Sequence, residues 1–395
     1  MNPRKHRIQQ AIEAYSPDLK ELAAHIGAHP ELGHEEFQAS ARLTEELERL
    51  GFRVERGTLG LPTAFVAEYR AAGPGPTVAL LAEYDALPEI GHACGHHLIC
   101  TMALGAAAGL RAVLDETGGV VRVYGTPAEE TKGAKVDMAA AGLFDDCDIA
   151  LMAHPYHAYE KSGSSLAMDA IQYEFHGKSA HAAASPELGV NALDAVILLF
   201  NAVNALRQQT PEHARIHGII SHGGLAPNMI PDYAAAKFYT RSATRAYTDE
   251  LTRRVNACAE AAALAAGCRL AVSHYEYSYD ELRTNETLSA VFTANLIESG
   301  IEPETIRASK DHGSLDLGNV SLRCPAIHPY IQVVDRPYSL HTAEFRDAAQ
   351  QDRAYDAMVF GAKMLACTAC DVLSNPDLVR QIREEFAPQE KFPHP

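Results

Sequence analysis

The chain has 395 residues, 47% hydrophobic and 22% charged, enough to bury a substantial core and to fill more than one domain. Its 34 Lys and Arg against 51 Asp and Glu leave a net charge of −17, which disfavours nucleic acid and anionic membranes as partners. No apolar run approaches the roughly 18 residues of a membrane span. Residues 1–16 carry charge with no apolar stretch behind them, so no secretory signal is expected and the cytoplasm is the expected compartment. The eight cysteines are scattered without framework spacing, which suits reduced thiols. Cys367 and Cys370 fall in an Ala-rich helical stretch and read as helix packing.

Ser16-Pro17-Asp18 predicts a helix start, with Pro at the first helical position and Leu19, Leu22, Ala23 and Ile26 at helical spacing behind it. After a loop with His29-Pro30-Glu31, the residues Phe37, Ala41, Leu43, Leu47 and Leu50 mark a second helix that Gly51 ends. His25, His29 and His34 are read as surface or supporting residues. From about residue 52, strands alternate with helices: strands at 63–69, 77–82, 120–125 and 148–153, helices at 98–113 and 136–143. That alternation predicts an α/β fold, a mostly parallel sheet covered by helices. Ligands of such sheets bind beyond the carboxyl ends of the strands.

The residues at those ends carry the chemistry. The stretch AEYDALPEIGHACGHH, from Ala82 to His97, follows an apolar strand and offers His92, Cys94, His96 and His97 within six positions. Thiolate and neutral imidazole are ligands of zinc and related divalent ions, and Asp85 is a further ligand or a carboxylate that orients one. Pro127-Ala128-Glu129-Glu130 follows the next strand, His154-Pro155 the one after, and Ser339-Leu340-His341-Thr342 follows strand-like residues 329–333. A glutamate pair or a His-Pro is commonly surface or turn. Gathered on one sheet edge, these groups suffice for two metals.

Between these halves the pattern reads strand (166–175), polar turn, helix (190–203), strand (216–221), Gly-Gly turn, strand (234–241) and Ala-rich helix (249–266). This predicts an inserted α+β unit at 167–281, interrupting a catalytic domain at 1–166 and 282–395.

The segments YDALPEIGHACGHH, GTPAEE, MAHP, GKSAHAAASPELGVNALDA, GGLAPNMIP, DHGSLDLGNVS and SLHTAEF resemble, in order, those of the di-metal aminoacylase and carboxypeptidase family. They are most similar to its branch of aminobenzoyl-glutamate hydrolases and dipeptidase relatives. The resemblance implies a catalytic α/β domain, an inserted dimerisation (lid) domain forming a homodimer, and hydrolysis of an amide bond beside a free carboxylate in a small amide or dipeptide. It also implies two divalent ions, zinc or manganese, with cobalt also suited to the donors. Carried over by motif, Cys94, His96, Glu130, His154 and His341 are the ligands, Cys94 bridging the metals. Glu129 is the general base and Asp85 the acid that sets ligand geometry. His181 approaches the scissile carbonyl, and Asn228 and Arg241 contact substrate, Arg241 by strand position alone. His97 departs from the Asp or Asn usual after Cys-Gly-His, and its charge is expected to depend on pH. His92, His157, His312 and His328 are read as supporting residues.

Two other classes share parts of this pattern. A cysteine-nucleophile hydrolase using Cys94 leaves Glu129, Glu130, His154 and His341 unexplained. A non-catalytic amino-acid-binding homologue would be expected to lack the base or ligands, and none is lacking.

Overall fold

The computed structural model describes residues 2–308 and 313–387, so His312 and Asp311 of the DHGSLD motif lie outside the described residues. The chain divides into two compact units, one comprising Met1–Ser164, Leu282–His312 and Asp316–Pro395, the other Ser165–Glu281 with Gly313–Leu315.

The first unit opens on one long helix, α1 (Pro3–Ala28), which corrects the helix start expected at Ser16. Asn2 caps it by accepting from the Arg4 N–H at 2.9 Å, and Pro3 takes the first turn, where no N–H is needed. Pro17 lies inside, at a cost of about 3 kcal/mol. Buried Ile8 and Ile12 before it and Leu19, Leu22 and Ile26 after it, each contributing about 1.5–3 kcal/mol on burial, keep the helix continuous across it. Next come α2 (Phe37–Arg49), β1 (Arg53–Arg56), β2 (Phe65–Arg70), β3 (Thr77–Ala82), α3 (His96–Arg111), the short α4 (Leu114–Thr117), β4 (Val120–Gly125), α5 (Ala134–Ala140), β5 (Ile149–Leu151) and β6 (His154–Tyr156).

In the second unit, β7 (Ala167–His176), α6 (Ala192–Leu206), β8 (Arg215–His222), β9 (Tyr233–Ser242), α7 (Arg245–Ala266) and β10 (Arg269–His274) form a four-stranded antiparallel sheet ordered β10-β7-β9-β8. Its core joins Ile171, Tyr173, Phe175 and Phe238 from the sheet to Val196, Leu199, Leu251 and Val255 from the two helices. The strand β10 is not foreseen in the sequence, because it pairs an exposed, half-polar segment onto an edge.

The first unit resumes with α8 (Glu286–Glu298), α9 (Leu317–Ser321), β11 (Ala326–Ile327), β12 (Tyr330–Gln332), α10 (Ala343–Ala349), α11 (Asp352–Ser374) and α12 (Pro376–Phe386). Its main sheet runs β1-β2-β4-β3-β5-β11. The β4-β3, β3-β5 and β5-β11 pairings are parallel, whereas β1-β2 and β2-β4 are antiparallel. The small sheet β6-β12 is parallel. Helix α3 packs on β3 and is covered by α1 and α11. By length and composition α11 is apolar enough to cross a membrane, contrary to the reading that no run comes close, but 72% of its apolar window is buried as core. Cys367 and Cys370 are in that buried part. The carboxyl ends of β3, β4 and β5 share one edge, and the residues that follow them are Glu83 to Asp85, Thr126 to Glu130 and Met152 to His154.

Candidate active site

Leaving β3, the chain buries Glu83, Tyr84 and Asp85 in succession. It then turns through Gly95, whose φ of 83° is left-handed. A Cβ there would lie 2.5 Å from Pro155 Cγ, so this glycine lets Cys94 and His96 approach the His154-Pro155 segment. His96 opens α3, and its Nδ1–H donates to Asp85 Oδ1 at 2.9 Å. That bond leaves Nε2 as the lone-pair nitrogen, the second-sphere arrangement that fixes a metal-binding imidazole.

Glu129 and Glu130 follow Ala128, itself left-handed at φ 65°. The Glu130 N–H donates to Asp85 Oδ2 at 3.0 Å. His154 opens β6 with its Nε2 3.5 Å from Cys94 Sγ. His341, at φ 63°, donates its N–H to the Ala93 carbonyl at 3.0 Å, and its Nε2 lies 3.2 Å from Glu130 Oε1. Two non-glycine residues in the left-handed region beside the same carboxylates are strain of the kind that collects at functional sites.

Cys94, His96 and His154 place donor atoms within 4.8 Å of one another, and so do Cys94, Glu130 and His341. The thiol is common to both groups. A third group joins His96, Glu129 and Glu130. His96 Nε2 is buried with no hydrogen-bond partner among the described residues, Glu83 Oε2 and Glu130 Oε1 standing 3.6 and 3.9 Å away. An orphaned imidazole nitrogen aimed among a thiol and carboxylates is a donor set that divalent ions fit.

Burial pushes the Cys94 thiol well up, the reverse of what an activated cysteine nucleophile needs. Burial and then the carboxylates of Glu130, Glu83 and Asp316 hold Glu129 well above the usual carboxyl range. Fully buried Lys135 bonds Glu83 Oε1 and Asp316 Oδ1, both at 2.7 Å. His97 lies 3.2 Å through Nε2 from the Ala349 carbonyl, and burial lowers its pKa to about 4. Its titration thus falls on the acid side of an ordinary imidazole.

Among the remaining expected residues, His92 and His328 are buried, and the His328 ring stands 5.4 Å from that of His154. The His25 and His29 rings lie 4.4 Å apart, tilted by 30°, and His34 Nε2 lies 2.9 Å from the Lys132 carbonyl. In the second unit, His181 Nδ1 accepts from the N–H groups of Ala183 and Ala184 at 3.2 and 3.1 Å. A nitrogen that accepts leaves the ring proton on Nε2, free to donate. The Ala182 N–H donates to the Asn228 carbonyl at 3.0 Å, so the segments of His181 and Asn228 are adjacent. Arg241 is on β9, its guanidinium over the Tyr239 ring at 5.0 Å and its Nη1 3.3 Å from Ser314 Oγ. The sequence does not mark Glu83, Lys135, Asp316 or Glu36 as site residues. Only the position of Glu83, directly after an apolar strand, signalled it.

A mixed α/β sheet that gathers thiol, imidazole and paired glutamates at the carboxyl edge of its parallel strands defines a metal-dependent hydrolase. The comparisons agree. The peptidase dimerisation domain matches residues 168–266. The chain is 39% identical to the Xaa-Arg dipeptidase of Mus musculus, over 97% of this chain and 92% of that protein. It is 30% identical to one chain of the p-aminobenzoyl-glutamate hydrolase of Escherichia coli, over 96% of this chain and 94% of that one. A dinuclear metal-binding peptidase of the M20 family from Bacillus subtilis shares the fold with a TM-score of 0.66, at 18% identity over 91% of this chain and 99% of that one. The chain belongs to the M20 family of metallopeptidases and amidohydrolases, and it is a metal-dependent hydrolase of C–N amide bonds.

Proposed function

We propose that the protein hydrolyses small amides with a free carboxylate beside the scissile bond, dipeptides ending in arginine first among them, using two divalent ions. Cys94, His96, Glu130, His154 and His341 would hold the ions, zinc or manganese being the first choices. The observation that carries this reading is the sharing of Cys94 between two donor groups. When bound, such ions lower the pKa of water and polarise a carbonyl. Asp85 orients His96 and anchors the Glu130 backbone. Glu129 takes a proton from water and delivers it to the departing amine. His181, with its proton on Nε2, donates to the oxyanion. Asn228 binds substrate, and Arg241 clamps the carboxylate through its planar fork. The inserted unit forms a homodimer, and the cytoplasm is the working compartment.

The substrate class comes from the arginine dipeptidase relative and the carboxylate requirement from the family resemblance, with Arg241 as its proposed partner. Alanyl-arginine, aminobenzoyl-glutamate and N-acetyl amino acids, offered to protein reconstituted with zinc or manganese and read by mass, test it. Activity that survives exhaustive chelation and dies with a thiol alkylator would replace this reading with the cysteine nucleophile.

A further inference from the structure

Residues 31–36 reach both loops that carry the proposed chemistry, and no role assigned above uses them. The Glu31 carbonyl accepts from the Ala86 N–H at 2.8 Å, one residue beyond Asp85. The Glu31 carboxylate accepts from the Gln38 and Ala39 N–H groups at 2.9 and 3.0 Å and so fixes where α2 begins. Glu36, the last residue before α2, is fully buried. Its Oε2 accepts from Thr63 Oγ1 at 2.8 Å, and its Oε1 accepts from the Ala128 N–H at 2.9 Å.

Ala128 is the left-handed residue directly before Glu129 and Glu130. For a residue with a Cβ that conformation costs about 1–2 kcal/mol and persists only where the surroundings over-determine it. Gly33 supplies the second constraint. A Cβ on Gly33 would meet Ala128 Cβ at 2.8 Å and Ala128 Cα at 3.0 Å, so the loop lies directly against the turn.

We infer that Glu36 is a positioning residue for amide hydrolysis: by holding the Ala128 N–H it fixes the left-handed turn that aims Glu129 and Glu130. This rests on the proposed roles of those two glutamates. The turn needs an acceptor at Oε1 rather than a charge. Burial and then Asp85 push the Glu36 carboxyl up to about 7, and the protonated acid keeps an oxygen for Ala128 while Thr63 Oγ1 can donate or accept. A glutamine reproduces that pattern, its oxygen on Ala128 and its amide N–H on Thr63. A methionine of similar length leaves the Ala128 N–H buried and unpaired.

The test compares Glu36→Met, Glu36→Gln and Glu129→Gln with wild type by two readouts. The first, which needs neither metal nor substrate, is hydrogen exchange in peptides spanning residues 126–133 of the metal-free protein. Exchange is expected to quicken at least about tenfold in the methionine variant and to stay near wild type in the glutamine variant. The second is steady-state turnover of alanyl-arginine by metal-loaded protein. Because a misplacement of about 1 Å can cost about 10²-fold, kcat should fall at least about tenfold in Glu36→Met with KM within about threefold, and Glu36→Gln should restore it. Should the methionine variant fail to fold by near-ultraviolet circular dichroism, Gly33→Ala presses on the same turn and should quicken exchange there too. Wild-type exchange in a folded Glu36→Met or Gly33→Ala, or a glutamine variant as damaged as the methionine one, overturns the assignment. Full turnover by Glu129→Gln would instead remove the proposed base, while the exchange result still judges Glu36.

Discussion

Asp85 Oδ1 lies 2.9 Å from His96 Nδ1, and the same carboxylate accepts the Glu130 N–H at 3.0 Å through its other oxygen. One acid therefore sets an imidazole in the first turn of α3 and the backbone of the turn after β4. Asparagine can serve only one of these partners, because its NH2 would face either a donating Nδ1–H or a donating backbone N–H. Loss of such outer-sphere partners typically weakens metal binding about 10–100-fold. Asp85→Asn is expected to fall in that range when titrated against a chromophoric chelator. Wild-type affinity would show that Asp85 does not support the metal site.

The neighbouring glutamates should separate cleanly. Glu129→Gln leaves all the proposed ligands in place, so metal content should persist while kcat drops by about 10²–10⁴, the range for lost acid–base catalysis. Glu130→Gln should lose metal, measured by atomic absorption after dialysis. The opposite pattern would exchange their roles.

How far the sequence could be read depended on how local each signal was. Strands β3 and β4 coincide with the expected 77–82 and 120–125, because each is a buried run with little else to form. Arg-Val-Glu-Arg of β1 carries no such run and becomes a strand only by pairing with β2. Pro17 suggested a start because the burial that carries α1 across it is tertiary. In the site, Cys94, His96 and His154 stand out in the sequence because ligand residue types cluster in the segments that follow apolar strands, and the fold brings their donor atoms together. Glu36 and Lys135 do not: one holds a backbone N–H 92 positions away, the other bonds a carboxylate 181 positions away. Spacing along a chain cannot report such distances.

Lys135 gives a stability prediction with a defined sign. Its ammonium is the direct partner of Glu83 and Asp316, and Glu129 adds a third nearby carboxyl. Removing one partner of a buried ion pair typically costs about 3–5 kcal/mol. Lys135→Met should lose on that order in denaturant unfolding of the metal-free protein at pH 8. Burial already raises Asp316 to about 6 with the lysine present. A carboxyl raised in the folded state favours folding below its unfolded pKa and loses that contribution as pH rises through the folded one. Without Lys135 it rises further, so the deficit should grow from pH 5 to pH 8. A deficit that shrinks over that range would contradict the assignment.

Arg241 sits over Tyr239 with its Nε buried and no hydrogen-bond partner among the described residues, as a group reserved for a ligand would be. Arg241→Lys keeps the charge and loses the fork. KM for carboxylate-bearing amides should rise about tenfold, the equivalent of one lost charge-assisted hydrogen bond, with metal content unchanged. Equal kinetics would assign the carboxylate to another residue.

The last prediction is that the chain forms a homodimer in which each active site is completed by a lid residue of the second copy. The dimerisation domain spans 168–266 and includes His181, whereas Cys94, Glu129 and His341 belong to the other unit. Glu129→Gln and His181→Ala should each be nearly inactive alone. In a mixed dimer, the catalytic unit with intact Glu129 comes from the His181→Ala chain, and the intact His181 comes from the Glu129→Gln chain. The dimer's other site carries both defects. Random reassembly makes about half the dimers mixed, each with one complete site, so about a quarter of wild-type activity should return, subject to the non-additivity of residues acting together. If His181 served the metals of its own chain, every site in every dimer would lack one group and nothing would return. Co-refolding the two variants, with each alone as control and mixed dimers verified by native mass spectrometry, gives the answer: activity no greater than the sum of the controls rules out the shared site.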